Sequence, residues 1–188
     1  MRLEPLESHH EEALWEIAQD ERIWRLMKVR GHESRELFGA WFRAVELGFA
    51  HSFDGALVGH TSYLNVRLDD RVVEIGNTWL APAAWGTGAN TEAKLLLLQH
   101  AFEEGFLRVE FKTDARNERA RAALAAFAEF EGVFRKHMLV RGGERRDSAW
   151  YAVVDDDWPD VKARLLQRLG YAANSGGQAT GLSSPKRA

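Results

Sequence analysis

The residues with most chemical promise are Trp85-Gly86-Thr87-Gly88-Ala89-Asn90. They lie between an apolar run that ends at Leu80 and a helix-forming run from Thr91 to Glu104. Two glycines here let the backbone turn tightly and present bare N–H groups to a ligand. The first N–H groups of a helix have no partner inside it, and the helix dipole adds partial positive charge there. A phosphate suits such a place, although an ordinary tight turn carries the same local pattern. No Gly-Lys-Ser/Thr follows the spacer, so this is not a Walker A loop. The dinucleotide fingerprint needs a third glycine where Thr91 stands, and a strand that runs straight into the turn. Glu110 mimics the ribose acid of that fold, but Ala81-Pro82-Ala83-Ala84 intervenes between strand and glycines.

Other reactive side chains point to structure. His9-His10 at a helix start reads as solvated. The seven histidines contain no His-x-x-x-His pair, so no metal site is expected. His137 and Asp147 flank the last hairpin and are expected to pair across it. Without cysteine there is no thiolate nucleophile and no disulfide, which fits a cytoplasmic location.

Positioning the loop takes a compact domain. Arg2–Glu7 reads as a short strand, His10–Leu26 as a helix, Met27–His32 as a loop and Glu33–Leu47 as a second helix. Phe49–Phe53 and Ala56–Arg67 form a hairpin about Asp54-Gly55, and Arg71–Leu80 is the next strand. The helix Thr91–Glu104 ends at Gly105, and Leu107–Thr113 alternates as a strand. Asn117 caps an alanine-rich helix to Phe130. Val133–Val140 and Ser148–Val154 make a last hairpin, and Asp156–Leu169 a terminal helix with Pro159 in its first turn. One domain is expected over residues 1–170. Residues 171–188 form a small, polar tail expected to be disordered.

Composition fits this reading. A chain of 188 residues that is 45% hydrophobic can bury one core. A net charge of −3 argues against generic nucleic-acid binding. No apolar stretch reaches the roughly 18 residues of a membrane span, and the start, without a basic flank before an apolar region, is not expected to be a signal peptide. Between Arg108 and Arg146 lie ten Lys/Arg against six Asp/Glu, a solvated face or an attractor of anions.

The longer pattern carries more. Ile75-Gly76, Trp79-Leu80, Gly86, Gly88, Thr91-Glu92-Ala93, Ala101-Phe102, Arg108-Val109, Asn117, Glu131-Gly132, Arg135 and Asp147 occur in this order over residues 1–165. The set resembles the GNAT family of acyl-CoA N-acyltransferases, and within it the ribosomal-protein N-terminal acetyltransferases. The resemblance implies an α/β fold whose mixed, mostly antiparallel sheet splays open at the acetyl-CoA site, between Leu80 and the strand from Leu107. The pantetheine arm would pair with the backbone of Trp79, Leu80 and Ala81 as an added strand. The pyrophosphate would sit on the N–H groups of Trp85, Gly86, Thr87, Gly88, Ala89, Asn90 and Thr91. Trp85 departs from the Arg or Gln usual at that point, so a cation is missing there.

Acyl transfer to an amine needs a route for the amine's proton, an aligned thioester and a donor to the developing oxyanion. Glu74 stands where relatives place a carboxylate base, and a cross-strand ion pair would explain it equally. The backbone N–H of Trp79 or Leu80 is the expected oxyanion donor. Asn117 would bond the pantetheine arm or cap its helix. Ala120 stands where the branch has a Ser, so the usual proton donor to the thiolate is absent, and Tyr151 or water would replace it. The expected activity is acetyl-CoA-dependent N-acetylation of a primary amine, such as a protein N-terminus. Alternatives are a polyamine or aminoglycoside acceptor and a non-catalytic acyl-CoA sensor. The oligomeric state stays open, a dimer included.

Overall fold

A computed structural model describes residues 1–171; the expected tail falls outside them but for Tyr171. The strands are β1 (Arg2–Pro5), β2 (Leu47–Phe53), β3 (Ala56–Arg67), β4 (Val72–Leu80), β5 (Arg108–Asp114), β6 (Glu129–Val140) and β7 (Glu144–Val154). The helices are α1 (His10–Ile17), α2 (Glu21–Trp24), α3 (Arg35–Arg43), α4 (Ala89–Glu103), α5 (Glu118–Ala125) and α6 (Trp158–Arg168). The strands form one sheet in the order β1-β2-β3-β4-β5-β7-β6. Every pairing is antiparallel except β4 with β5.

That parallel contact is short. β4 pairs β5 only through Val72, Val73 and Glu74 against Arg108, Val109 and Glu110. Both strands continue past the last pair, so they diverge into a wedge with Glu74 and Glu110 at its apex. α4 and α6 cover one face of the sheet: Leu95, Leu97, Leu98, Val161 and Leu165 pack on Val73, Ile75, Val109 and Phe111. α1, α2 and α3 cover the other face, where Leu14, Trp24, Phe38 and Trp41 pack with Trp79.

Three expected elements end elsewhere. The first helix breaks after Ile17, because Trp24 Nε1 donates to Ala18 O at 2.7 Å and Asp20 caps a separate turn through Arg22 N at 2.9 Å. The second helix is shorter at both ends: Ser34 Oγ caps it through Leu37 N at 3.1 Å, and Leu47 already belongs to β2. The alanine-rich helix stops at Ala125, not Phe130. Phe127 and Ala128 N–H both turn back to Leu124 O, which drops Phe127 into the core and releases Glu129 and Phe130 to β6.

Candidate active site

The glycine loop stands at the mouth of the wedge. Gly86 has φ 78° and Gly88 φ 86°, so both use the left-handed region that glycine reaches without cost. Gly88 occupies the N-cap of α4, and no side chain caps that end. The only side-chain acceptor on the loop is Thr87 Oγ1, a weak 3.4 Å from Ala89 N. The start of this 15-residue helix therefore presents its N–H groups outward.

The cation missing from the loop comes from elsewhere in the chain. The Arg119 guanidinium lies 3.8 Å from the Trp85 ring centroid, and Arg22 lies 5.3 Å from it. Trp85 follows β4 and Arg119 follows β5, so their stack spans the open end of the wedge. Burial lowers the Arg119 pKa from its ordinary value. Reading along the chain missed both arginines, because neither is near Trp85 in sequence.

Backbone groups divide by direction. Ala81 N–H donates to Val58 O at 2.7 Å, so it is not free for an added strand, contrary to the expectation. Along a strand, N–H and C=O groups alternate sides. Leu80 therefore turns its backbone away from β3, toward the wedge, and Trp79 turns its own toward β3, where it faces His60. The Leu80 carbonyl accepts from Trp85 Nε1 at 2.8 Å.

Glu74 lies at the apex, on the α1–α3 side. It is buried, and its Oε2 accepts from Lys112 Nζ at 2.6 Å and from Asn65 Nδ2 at 2.7 Å. The cross-strand ion pair thus exists, with Lys112 as partner, and Oε1 is left facing Gly76. His137 belongs to the same neighbourhood. It does not pair with Asp147: its Nδ1 lies 3.0 Å from Ser148 Oγ, and its ring packs on Phe134 and Trp150. Asp147 instead accepts from Lys136 N at 2.6 Å, where Lys136 at φ 52° forms a bulge in β6. Burial lowers the His137 pKa, and Lys112 and Arg146 lower it further, so its imidazole is neutral at neutral pH.

The residues around the expected leaving group are placed as follows. Asn117 Oδ1 caps α5 through Ala120 N at 3.1 Å. Ala120 is half-buried on that helix. Tyr151 is buried in the main core, its hydroxyl 3.4 Å from Arg121 Nε.

A second polar group lies under β4, on the α4 side. Lys94 Nζ donates to Thr78 Oγ1 at 2.8 Å and reaches Thr61 Oγ1 at 3.4 Å, with no acid beside it. Burial pushes its pKa down to about 7. His51 and His60 are buried nearby and held neutral by that burial, His60 at about 4. Both ring nitrogens of His51 lack a hydrogen-bond partner. Among the described residues no cluster of His, Asp or Glu suits a metal ion, and no helix is long and apolar enough to cross a membrane.

Comparison with known proteins agrees with this fold. The family described as an acetyltransferase (GNAT) domain matches residues 1–127. A T. thermophilus protein assigned as an acetyltransferase is 38% identical, with TM-score 0.82, over 89% of this chain and 93% of its own. Mycobacterium smegmatis RimJ, solved in complex with CoA-disulfide, shares the fold at 24% identity and TM-score 0.75, over 89% of this chain and 88% of its own. RimL, a ribosomal L7/L12 alpha-N-protein acetyltransferase, shares it at 17% identity and TM-score 0.71, over 81% of this chain and 88% of its own. No curated protein matches the sequence.

Proposed function

The chain belongs to the GNAT acetyltransferase family, and from that premise we propose that it moves an acetyl group from acetyl-CoA to a primary amine by direct attack on the thioester. One observation carries the proposal: β4 and β5 part after Glu74, and the uncapped start of α4 closes the mouth of the resulting wedge. The N–H groups from Gly86 to Thr91, with Arg22 and Arg119 stacked on Trp85, suit a pyrophosphate. Leu80 offers its N–H to the pantetheine side of the wedge and to the developing oxyanion. The amine nitrogen forms its bond to the acetyl carbon, the carbon–sulfur bond breaks, and the nitrogen's proton leaves to a base. Ala120 has no proton to give, so water protonates the thiolate.

Glu74 is the proposed base, acting through Oε1 while Lys112 and Asn65 hold Oε2. The same ion pair favours a second reading, because Lys112 and Asn65 already occupy Oε2 and the carboxylate then serves to hold a cation. The neutral imidazole of His137 is then the base, and Glu74 positions the ammonium. The likeness to RimL supports a protein N-terminus as the amine; a small-molecule amine is the alternative acceptor. CoA release measured with N-terminal peptides and small amines tests the whole reading, and release with any of them excludes a non-catalytic sensor. Glu74→Gln should lower kcat about 10²-fold, at the lower end of general acid–base effects, while CoA binding is kept. An unchanged pH–rate profile in that variant would remove Glu74 as base and leave His137.

A further inference from the structure

A cavity of about 340 Å³ adjoins the wedge on the α1–α3 side. It is lined by Arg25, Leu26, Arg30, Arg116, Arg141 and Glu144. Three segments build it: the chain after α2, the β5–α5 loop and the tip of the β6–β7 hairpin. Chain neighbours of its lining residues reach the wedge mouth. Arg22, one turn before Arg25, and Arg119, three residues after Arg116, both lie on Trp85 at the wedge mouth. The volume is at the small end of ligand pockets, which run from about 300 to 1,000 Å³.

Its charge is not balanced from within. Arg116 Nη2 donates to Asp114 at 2.8 Å and to Glu144 at 2.7 Å. Arg141 Nε donates to Glu144 at 2.9 Å, and its Nη1 to Met27 O at 2.6 Å. Arg30 pairs with exposed Glu33 at 3.1 Å. The guanidinium of Arg25 makes no ion pair among the described residues. Arg146 is buried behind the cavity. Four guanidiniums of the lining thus face Asp114, Glu144 and Glu33. Arg141 Nη2 and Arg146 Nε are buried without a hydrogen-bond partner, although Arg141 Nη2 makes an ion pair with Asp114 Oδ2 at 3.5 Å. Arginine forks match carboxylate and phosphate oxygens, and the exposed guanidiniums of Arg25 and Arg30 are open to such a group.

We infer that this cavity receives an anionic group of the acceptor, a carboxylate or a phosphate ester a few bonds from the amine that is acetylated. The inference rests on the acyl-transfer reading above and narrows it. A polyamine or aminoglycoside would carry its own cations against four arginines and is the wrong charge for the site.

Binding to the CoA-loaded enzyme separates this claim from turnover. N-acetyl-Ala-Asp-amide and N-acetyl-Ala-Asn-amide are matched in size and differ by one charge. N-acetyl-O-phosphoethanolamine and N-acetylethanolamine probe phosphate. By calorimetry, the charged member of one pair should bind about ten- to a hundred-fold more tightly, the range expected of a charge-assisted bond. Preference within the peptide pair identifies a carboxylate, and within the second pair a phosphate. Arg25→Gln and Arg30→Gln, both at exposed positions that should keep the fold, should each reduce that preference and leave CoA affinity unchanged. Equal affinities in both pairs would overturn the inference. So would a loss of CoA affinity in both variants, because the cavity would then serve the cofactor. Preference for the charged products without CoA release from any amine would instead sink the acyl-transfer reading and leave the anion site standing.

Discussion

Replacing Lys94 by Met tests whether its ammonium is held against its solvation preference. The side chain is buried, is met by two threonine hydroxyls and has no acid beside it. Its pKa falls from 10.5 to about 7 because burial penalises the charged form. The unfolded chain therefore binds more protons than the folded one between these two values, and stability rises with pH across that window. Below pH 7 the penalty is fully present, and above about pH 10.5 it is gone. The penalty shrinks by about 2 kcal/mol between pH 7 and pH 9. Lys94→Met keeps most of the volume and has no proton to exchange. Urea unfolding of both proteins at several pH values from 7 to 9 isolates the term, since all other groups cancel in the difference. The gap between variant and wild type should narrow by about 2 kcal/mol as pH rises. A gap independent of pH would refute the claim that Lys94 titrates near neutrality in the folded state.

Two further outcomes concern the cofactor side. Gly88→Asp should abolish CoA binding, because its carboxylate would stand at the helix start where the pyrophosphate is proposed; a Cβ there meets only Leu169 Cδ2 at 3.5 Å, while the φ of 86° adds about 1–3 kcal/mol of strain, so folding is checked first by circular dichroism. Wild-type CoA affinity by calorimetry in the folded variant would dismiss the site. Arg119→Gln should weaken CoA about ten-fold at low salt and less at high salt, as expected of one partly screened charge. An affinity that is unchanged and salt-independent would show that Arg119 serves only to pack Trp85.

Much of the framework that carries the proposed cofactor loop was legible along the chain, because local signals decide it. Paired glycines before a helix, the alternation in Leu107–Thr113 and the cap at Asn117 are contained within a few residues each. What was missed depends on distant partners. The break after Ile17 is made by the indole of Trp24 reaching back to Ala18 O. A lysine in a helix normally reads as exposed; Lys94 is buried because Thr61 and Thr78 wait beneath it. The excess of basic residues from Arg108 to Arg146 was visible, but its meaning needed Arg25 and Arg30 from the far side of the chain. Likewise Trp85 looked like a lost cation until Arg22 and Arg119 were seen against it.

The middle of β4 has a consequence for how such chains diverge. Ser62 faces Gly76 while His60 faces Trp79, so β4 carries one residue more than β3, at Asn77 with φ 53°. Asn77 is held there by Trp41 Nε1 on its Oδ1 and by His60 on its carbonyl, each at 3.1 Å. Before that residue Val73 and Ile75 look toward α4; after it Thr78 and Leu80 do, and Trp79 takes the place that Glu74 and Gly76 held on the opposite side. Strand parity has changed hands within the strand. Surface turns can change length without such an effect, but deleting a single residue between Ile75 and Trp79 would exchange the residues that β4 presents to α4 with those it presents to α1–α3. Inherited length, more than inherited residue type, is what evolution has to conserve in this stretch.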